Sequence, residues 1–184
     1  MPAIINFALF QFGWFACVLG AAWALPWAGT GIALAIVTGH LLVASQPRAE
    51  LKLLVIAAGI GLVFDSALAM LGWIAFPTGV LVAGLAPHWM VALWLLFATT
   101  LNVSLGWLKR YPLLSVLFGA VGGPLAYYGG SKLGALDFVE MTPALIALAI
   151  GWAVITPLLV QLAKRFDGFV RPLDNELLSE AGHG

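Results

Sequence analysis

Asp65 is the only acidic residue deep inside an apolar stretch of this chain, so the search for chemistry starts there. A buried carboxylate can hold a proton or a cation, or anchor a polar group of a substrate. It can equally tie two helices together through a hydrogen bond. Inserting an aspartate at the centre of a membrane helix costs about 2.5–3.5 kcal/mol, so such a side chain is expected to face protein or water. Its neighbours agree. Ala57, Gly61, Asp65 and Ala69 recur every four residues and share one helix face, the small-residue stripe of a close helix contact. Ser66 follows directly, but adjacent helix residues point about 100° apart, so Asp65 and Ser66 do not form a dyad.

A second group is the segment from Gly122 to Gly130, with Gly122, Gly123, Pro124, Tyr127 and Tyr128. Pro124 removes one backbone donor and frees a carbonyl four residues back. Counting 1.5 Å per residue from the end of each apolar run, Asp65 lies at about 21 Å and this segment at about 17–26 Å. The two are expected at one height, either as a midplane binding site built on a broken helix or as a plain proline kink. Nearer one end, Asn6, Gln11, His40, Thr99 and Asn102 are expected to form one interhelical polar network. That network acts either as helix glue, at about 0.6 kcal/mol per contact, or as a polar pocket. His40 and Asp65 differ in height by about 12 Å and are not a catalytic pair.

Other chemistry finds no support. The three histidines, His40, His88 and His183, have no metal-ligand spacing, and the single cysteine, Cys17, cannot form an internal disulfide. There is no nucleophile elbow, Walker motif or dinucleotide fingerprint. No catalytic residue, metal or cofactor is assigned. The equal numbers of acidic and basic residues, 8 of each, point away from a nucleic-acid partner.

The elements that must position these residues follow from composition. Hydrophobic residues make up 62% of the 184 and charged residues 9%, and mean hydropathy is +1.05. A soluble domain of this size cannot hide so much apolar surface. Six apolar runs, at 3–25, 28–46, 51–74, 88–108, 111–130 and 142–164, are each near the length needed to cross a bilayer core of about 30 Å. The expected fold is all-α, a polytopic membrane protein of six transmembrane helices with a polar tail over 165–184. The first run has no preceding Lys or Arg and is too long for a signal peptide, so it reads as a retained span. The connection over 75–87 is apolar enough to dip into the interface.

Seven of the 8 basic residues fall on one side of this frame, which places both termini in the cytoplasm. They are Arg48, Lys52, Lys109, Arg110, Lys164, Arg165 and Arg171; Lys132 lies on the other side with Asp137 and Glu140. Trp23, Trp27, Trp73 and Trp89 fall at the expected outer ends and Trp107 at an inner end, as indole rings favour. Trp14, Trp94 and Trp152 lie deeper, as packing residues.

Several strings resemble a family of small bacterial inner-membrane proteins known only as a domain of unknown function. They are residues 6–21 (NFALFQFGWFACVLGA), Asp65-Ser66, residues 94–107 (WLLFATTLNVSLGW), residues 119–130 (GAVGGPLAYYGG) and residues 165–168 (RFDG). The resemblance covers residues 4 to about 170 and departs in the tail. It implies a multi-pass protein of the bacterial inner membrane working near fatty-acid modification or envelope stress, with membrane lipids as partners. It carries no activity over to particular residues. The expectation is a non-enzymatic partner or scaffold docking other membrane proteins through small-residue helix faces. The alternatives are a lipid or small-molecule transport or substrate-binding subunit centred on Asp65, for which the stripe Ala16, Gly20 and Ala24 would suit docking to a transporter helix, and an intramembrane enzyme. A transport bundle calls for a cavity reaching from Asp65 to a surface, an enzyme for converging titratable groups, and a scaffold for a filled core.

Overall fold

The computed structural model describes residues 1–169. The order is α1 (Ala3–Ala22), α2 (Pro26–Val43), α3 (Pro47–Met70), β1 (Ile74–Ala75), α4 (His88–Thr100), a 3-10 helix at Gly106–Arg110, α5 (Pro112–Lys132), β2 (Asp137–Phe138) and α6 (Met141–Arg165). Among the described residues the fold is all-α apart from one pair of two-residue strands. Five helices are long and apolar enough to cross a membrane, as expected of a multi-pass membrane protein. Pro26, Pro47 and Pro112 each open a helix, where the missing N–H is no loss and the fixed φ already suits the turn.

Gly72 and Gly134 close α3 and α5 with φ of 69° and 88°, a left-handed turn that side chains disfavour. Each leads into one short strand. The strands pair antiparallel, Ile74 with Phe138 and Ala75 with Asp137. This pair ties the α3–α4 connection to the α5–α6 connection at the end of the bundle away from most basic residues.

α4 is the central helix. Trp89, Leu96 and Ala98 are 0% exposed, and α1, α2 and α3 all pack on it. It is also shorter than the apolar run at 88–108. Its 13 residues span about 20 Å, short of the bilayer core. The polar string after Phe97 explains the early end. Thr99 and Thr100 turn their hydroxyls onto the Leu96 and Phe97 carbonyls, and the N–H groups of Val103 and Leu105 both return to the Thr100 carbonyl. Hydropathy does not register these turns.

α1 and α2 pack through glycine. A Cβ on Gly29 would lie 2.4 Å from the Ala16 carbonyl oxygen, and one on Gly20 would lie 3.2 Å from the Gly29 nitrogen. Ala16 and Gly20 thus serve the contact with α2 inside the chain, where the sequence had suggested a surface for a foreign helix. α5 and α6 pack equally closely: a Cβ on Gly119 would meet the Trp152 carbonyl at 2.1 Å, and one on Gly123 the Trp152 ring at 2.2 Å. α1 and α5 scarcely touch: α1 packs on α2 and α4, and α5 on α6.

The segment after α6 differs from the solvated tail expected from residue 165. Phe166 packs against the core, and Gln46 N–H donates to the Gly168 carbonyl at 2.9 Å. Residues 170–184, and with them Arg171 and most of the expected tail, lie outside the described residues.

Candidate functional site

Asp65 is fully buried at the meeting of α3, α4 and α5. Trp94 Nε1 donates to its Oδ2 at 2.7 Å, and the Tyr127 hydroxyl donates to its Oδ1. The height count thus brought the right helix to Asp65. Gly61, one turn below Asp65, makes room for the Trp94 ring, since a Cβ there would lie 2.1 Å from it. Trp94 in turn stacks on Trp152 at 4.6 Å and 13°, and Phe97 meets Trp152 edge-on at 5.2 Å. The carboxylate therefore fixes two rings of a four-ring aromatic wall.

The other residues expected near Asp65 have separate places. Ser66 Oγ accepts the Ala86 N–H at 2.8 Å and pins the 76–87 connection. Pro124 sits inside an unbroken α5, so there is no split helix; Gly119 and Gly123, in the half before the proline, pack closely against α6. Tyr128 points away from Asp65 and lies under Lys132, whose Nζ is 5.1 Å from the ring centroid.

The expected polar network is two networks. Asn6 Nδ2 donates to the Thr99 carbonyl at 3.1 Å, and Asn6 Oδ1 accepts from Ser104 Oγ at 2.6 Å. The second is centred on Glu50, which is 0% exposed. Its Oε1 bonds His40 Nε2 at 2.8 Å. Its Oε2 accepts from Asn102 Nδ2 at 2.7 Å and from Gly168 N–H at 3.0 Å. Lys109 Nζ donates to Asn102 Oδ1 and to Asp167 Oδ2, both at 2.6 Å. The lysine fixes the amide orientation: with Oδ1 facing Lys109, only the NH₂ can face Glu50.

Sequence reasoning missed Glu50, Lys109 and Asp167. Glu50 falls in the first turn of α3, just ahead of the apolar run, where an acid reads as a surface charge. The one available signal was the string Arg165-Phe166-Asp167-Gly168, whose glycine is the part that docks. His40 and Asp65 belong to separate hydrogen-bonded groups. Among the described residues no cluster of three or more His, Cys, Asp or Glu is placed to hold a metal ion.

Between α1 and α5 lies a cavity of about 400 Å³, floored by α4. Trp14, Trp89, Trp94, Phe97, Tyr127 and Trp152 supply much of its wall. Gly122, Gly123 and Gln11 also line it. Asp65 does not. It stands behind Trp94 and Tyr127, whose polar atoms point back to it. Gln11 is half-buried and has no hydrogen-bond partner among the described residues.

A second cavity, about 350 Å³, lies on another side of α4, among α2, α3 and the 76–87 connection. His88 is on its wall, stacked on Trp27 at 3.9 Å. Thr30 donates to the Pro26 carbonyl, so the 2.8 Å contact between Thr30 Oγ1 and His88 Nδ1 has the ring nitrogen as donor.

A protein-family profile described as "Protein of unknown function (DUF2878)" matches residues 3–158, and the chain belongs to that family. No curated protein and no solved structure matches it.

Proposed function

We propose that this protein holds one acyl or isoprenoid chain of a membrane lipid in the cleft between α1 and α5, as a lipid-binding member of the bacterial inner membrane. The observation that carries the reading is the shape and lining of the cleft. Along α5 the lining runs from Phe118 to Gly130, about 18 Å at the helical rise. That is close to half of a bilayer core of about 30 Å, the reach of one chain in one leaflet. The cleft's volume of about 400 Å³ suits such a chain.

The lining chemistry supports the same reading. A pocket for an apolar ligand is mostly aromatic and aliphatic, with few polar groups, and here Gln11 is the unengaged amide. Asp65 acts as an anchor for Trp94 and Tyr127 and is not a contact for the ligand. The basic residues at one end of the bundle favour both termini in the cytoplasm. A lipid-binding role also agrees with work on fatty-acid modification or envelope stress, with the bound lipid as substrate or cargo of a partner enzyme.

Native mass spectrometry from mild detergent tests this. Gly122→Leu directs a side chain toward the cleft, where a Cβ meets only Phe118 at 3.9 Å. Gly59→Leu is the control, because a Cβ there has open space around it. The expected result is one retained lipid in wild type and in Gly59→Leu, and none in Gly122→Leu. A wild-type protein that retains no lipid, or equal retention in a folded Gly122→Leu, would overturn the proposal.

A further inference from the structure

We infer that the lipid held in the cleft is an anionic glycerophospholipid that enters from the leaflet at the basic end of the bundle. This rests on the lipid-chain reading above and adds a polarity and a headgroup charge to it.

The cleft is asymmetric. At the end away from most basic residues its lining is buried: Val18 and Leu136 are 2% exposed and Trp89 is 0%. Toward the basic end the lining residues reach the surface, with Phe7 at 50% and Phe118 at 39% exposure. Leu125, partway along, is 62% exposed. One end is closed, and the cleft opens laterally along α5 from Phe118 to Leu125, with Thr100 buried on the floor. A chain inserted here points its tip toward the closed end and leaves its head at the basic end. The lateral opening lets the second chain of a two-chain lipid stay in the bilayer.

The charges at the open end are lopsided. Among the described residues Glu50 and Asp167 are the acids there, and both are engaged, Glu50 by His40, Asn102 and Gly168 and Asp167 by Lys109. Arg48, Lys52, Arg110 and Lys164 are exposed and have no acidic partner among the described residues. Arg165 is exposed too and lies over the Phe166 ring. Among the described residues the buried network thus engages both acids at this end and leaves Arg48, Lys52, Arg110 and Lys164 exposed. Arg110 lies in the chain between Leu105 and Phe118, two residues that line the cleft. At the other end Lys132 is accompanied by Asp137 and Glu140. A negatively charged head is therefore favoured at the open end alone.

The experiment reconstitutes the full chain in vesicles of equal phosphatidylglycerol and phosphatidylcholine with matched chains. It then extracts the protein gently and reads the retained lipid by native mass spectrometry. A basic residue near an anionic membrane surface contributes enough that its removal changes a binding ratio about fivefold. The expected result is a preference for phosphatidylglycerol in wild type, reduced about fivefold in Arg110→Gln and unchanged in Lys132→Gln. Retention without headgroup preference, still abolished by Gly122→Leu, would overturn this inference and leave the chain-binding proposal standing. Equal loss in Lys132→Gln would overturn it as well. Oleate retained in preference to phosphatidylglycerol would overturn the phospholipid assignment.

Discussion

Replacing Asp65 in two ways separates an anchor from a ligand contact. The carboxylate accepts one bond from Trp94 Nε1 and one from the Tyr127 hydroxyl. Asp65→Asn keeps one acceptor oxygen. The indole can only donate, so the amide oxygen turns to Trp94 and the NH₂ faces Tyr127, whose hydroxyl can accept. Both contacts persist with the second reversed, so the loss is at most that of one interhelical bond, which in membranes averages about 0.6 kcal/mol and reaches about 1.7 kcal/mol. Asp65→Leu leaves two buried donors unpaired, at about 1–3 kcal/mol each, or about 2–6 kcal/mol together. The assay is reversible unfolding in mixed bicelle and denaturing-detergent solutions, repeated with Tyr127→Phe in each background. Tyr127→Phe is expected to destabilise wild type and to have almost no effect beside Asp65→Leu, a coupling of about 1 kcal/mol or more. Leucine as stable as aspartate, or Tyr127→Phe equally costly in both backgrounds, would refute the anchor. It would mean that desolvating the carboxyl outweighs the bonds it accepts.

Three further outcomes follow from the packing. Gly168→Ala places a Cβ 2.6 Å from Glu50 Cβ and 2.7 Å from its Oε2; it is expected to displace residues 166–169 and lower stability by about 1–3 kcal/mol, with new protease sensitivity after Arg165 as the readout. Gly61→Val drives a side chain into the Trp94 ring and should cost about 1–3 kcal/mol or more, measured by the same unfolding assay; a neutral result would contradict the α3–α4 seam. Lys109→Met removes a partner from both Asn102 and Asp167. Because this lysine is partly exposed, the expected loss is about 1 kcal/mol or less, and it should shrink as salt is raised.

The parts of this fold visible in the sequence are those set by short-range pattern. Five of the six apolar runs, all but that of α4, coincide with helices to within a few residues at each end, because a membrane helix needs a fixed length of apolar chain. The match of Asp65 with Tyr127 came from rise per residue alone, since two helices crossing one slab share a ruler. Glu50 escaped because its burial depends on Gly168, 118 residues later. The early end of α4 escaped because it is set by Thr99, Thr100 and Asn102 turning onto nearby and distant partners, which a hydropathy average cannot register. The cleft escaped for a related reason. It exists where α1 and α5 do not touch, and nothing local in either helix records an absent neighbour.

The distribution of polar groups explains why the cleft suits a lipid. Each polar ring atom that Trp89, Trp94 and Tyr127 could offer it is committed elsewhere, to the Thr78 carbonyl and to Asp65. Thr100 is committed to the Phe97 carbonyl. Asp65 therefore makes the wall more apolar: it draws one N–H and one O–H to the far side of the rings that carry them. A carboxylate in a membrane protein is usually read as a point where polar cargo binds. Here its bonding direction is the reverse, and the lining keeps uncommitted polar groups in the amide of Gln11 and the indole N–H of Trp152. Recognition of charge must then come from the rim. Among the described residues at the open end, Glu50 and Asp167 are engaged by their own partners, which leaves Arg48, Lys52, Arg110 and Lys164 exposed for the negative headgroup proposed there.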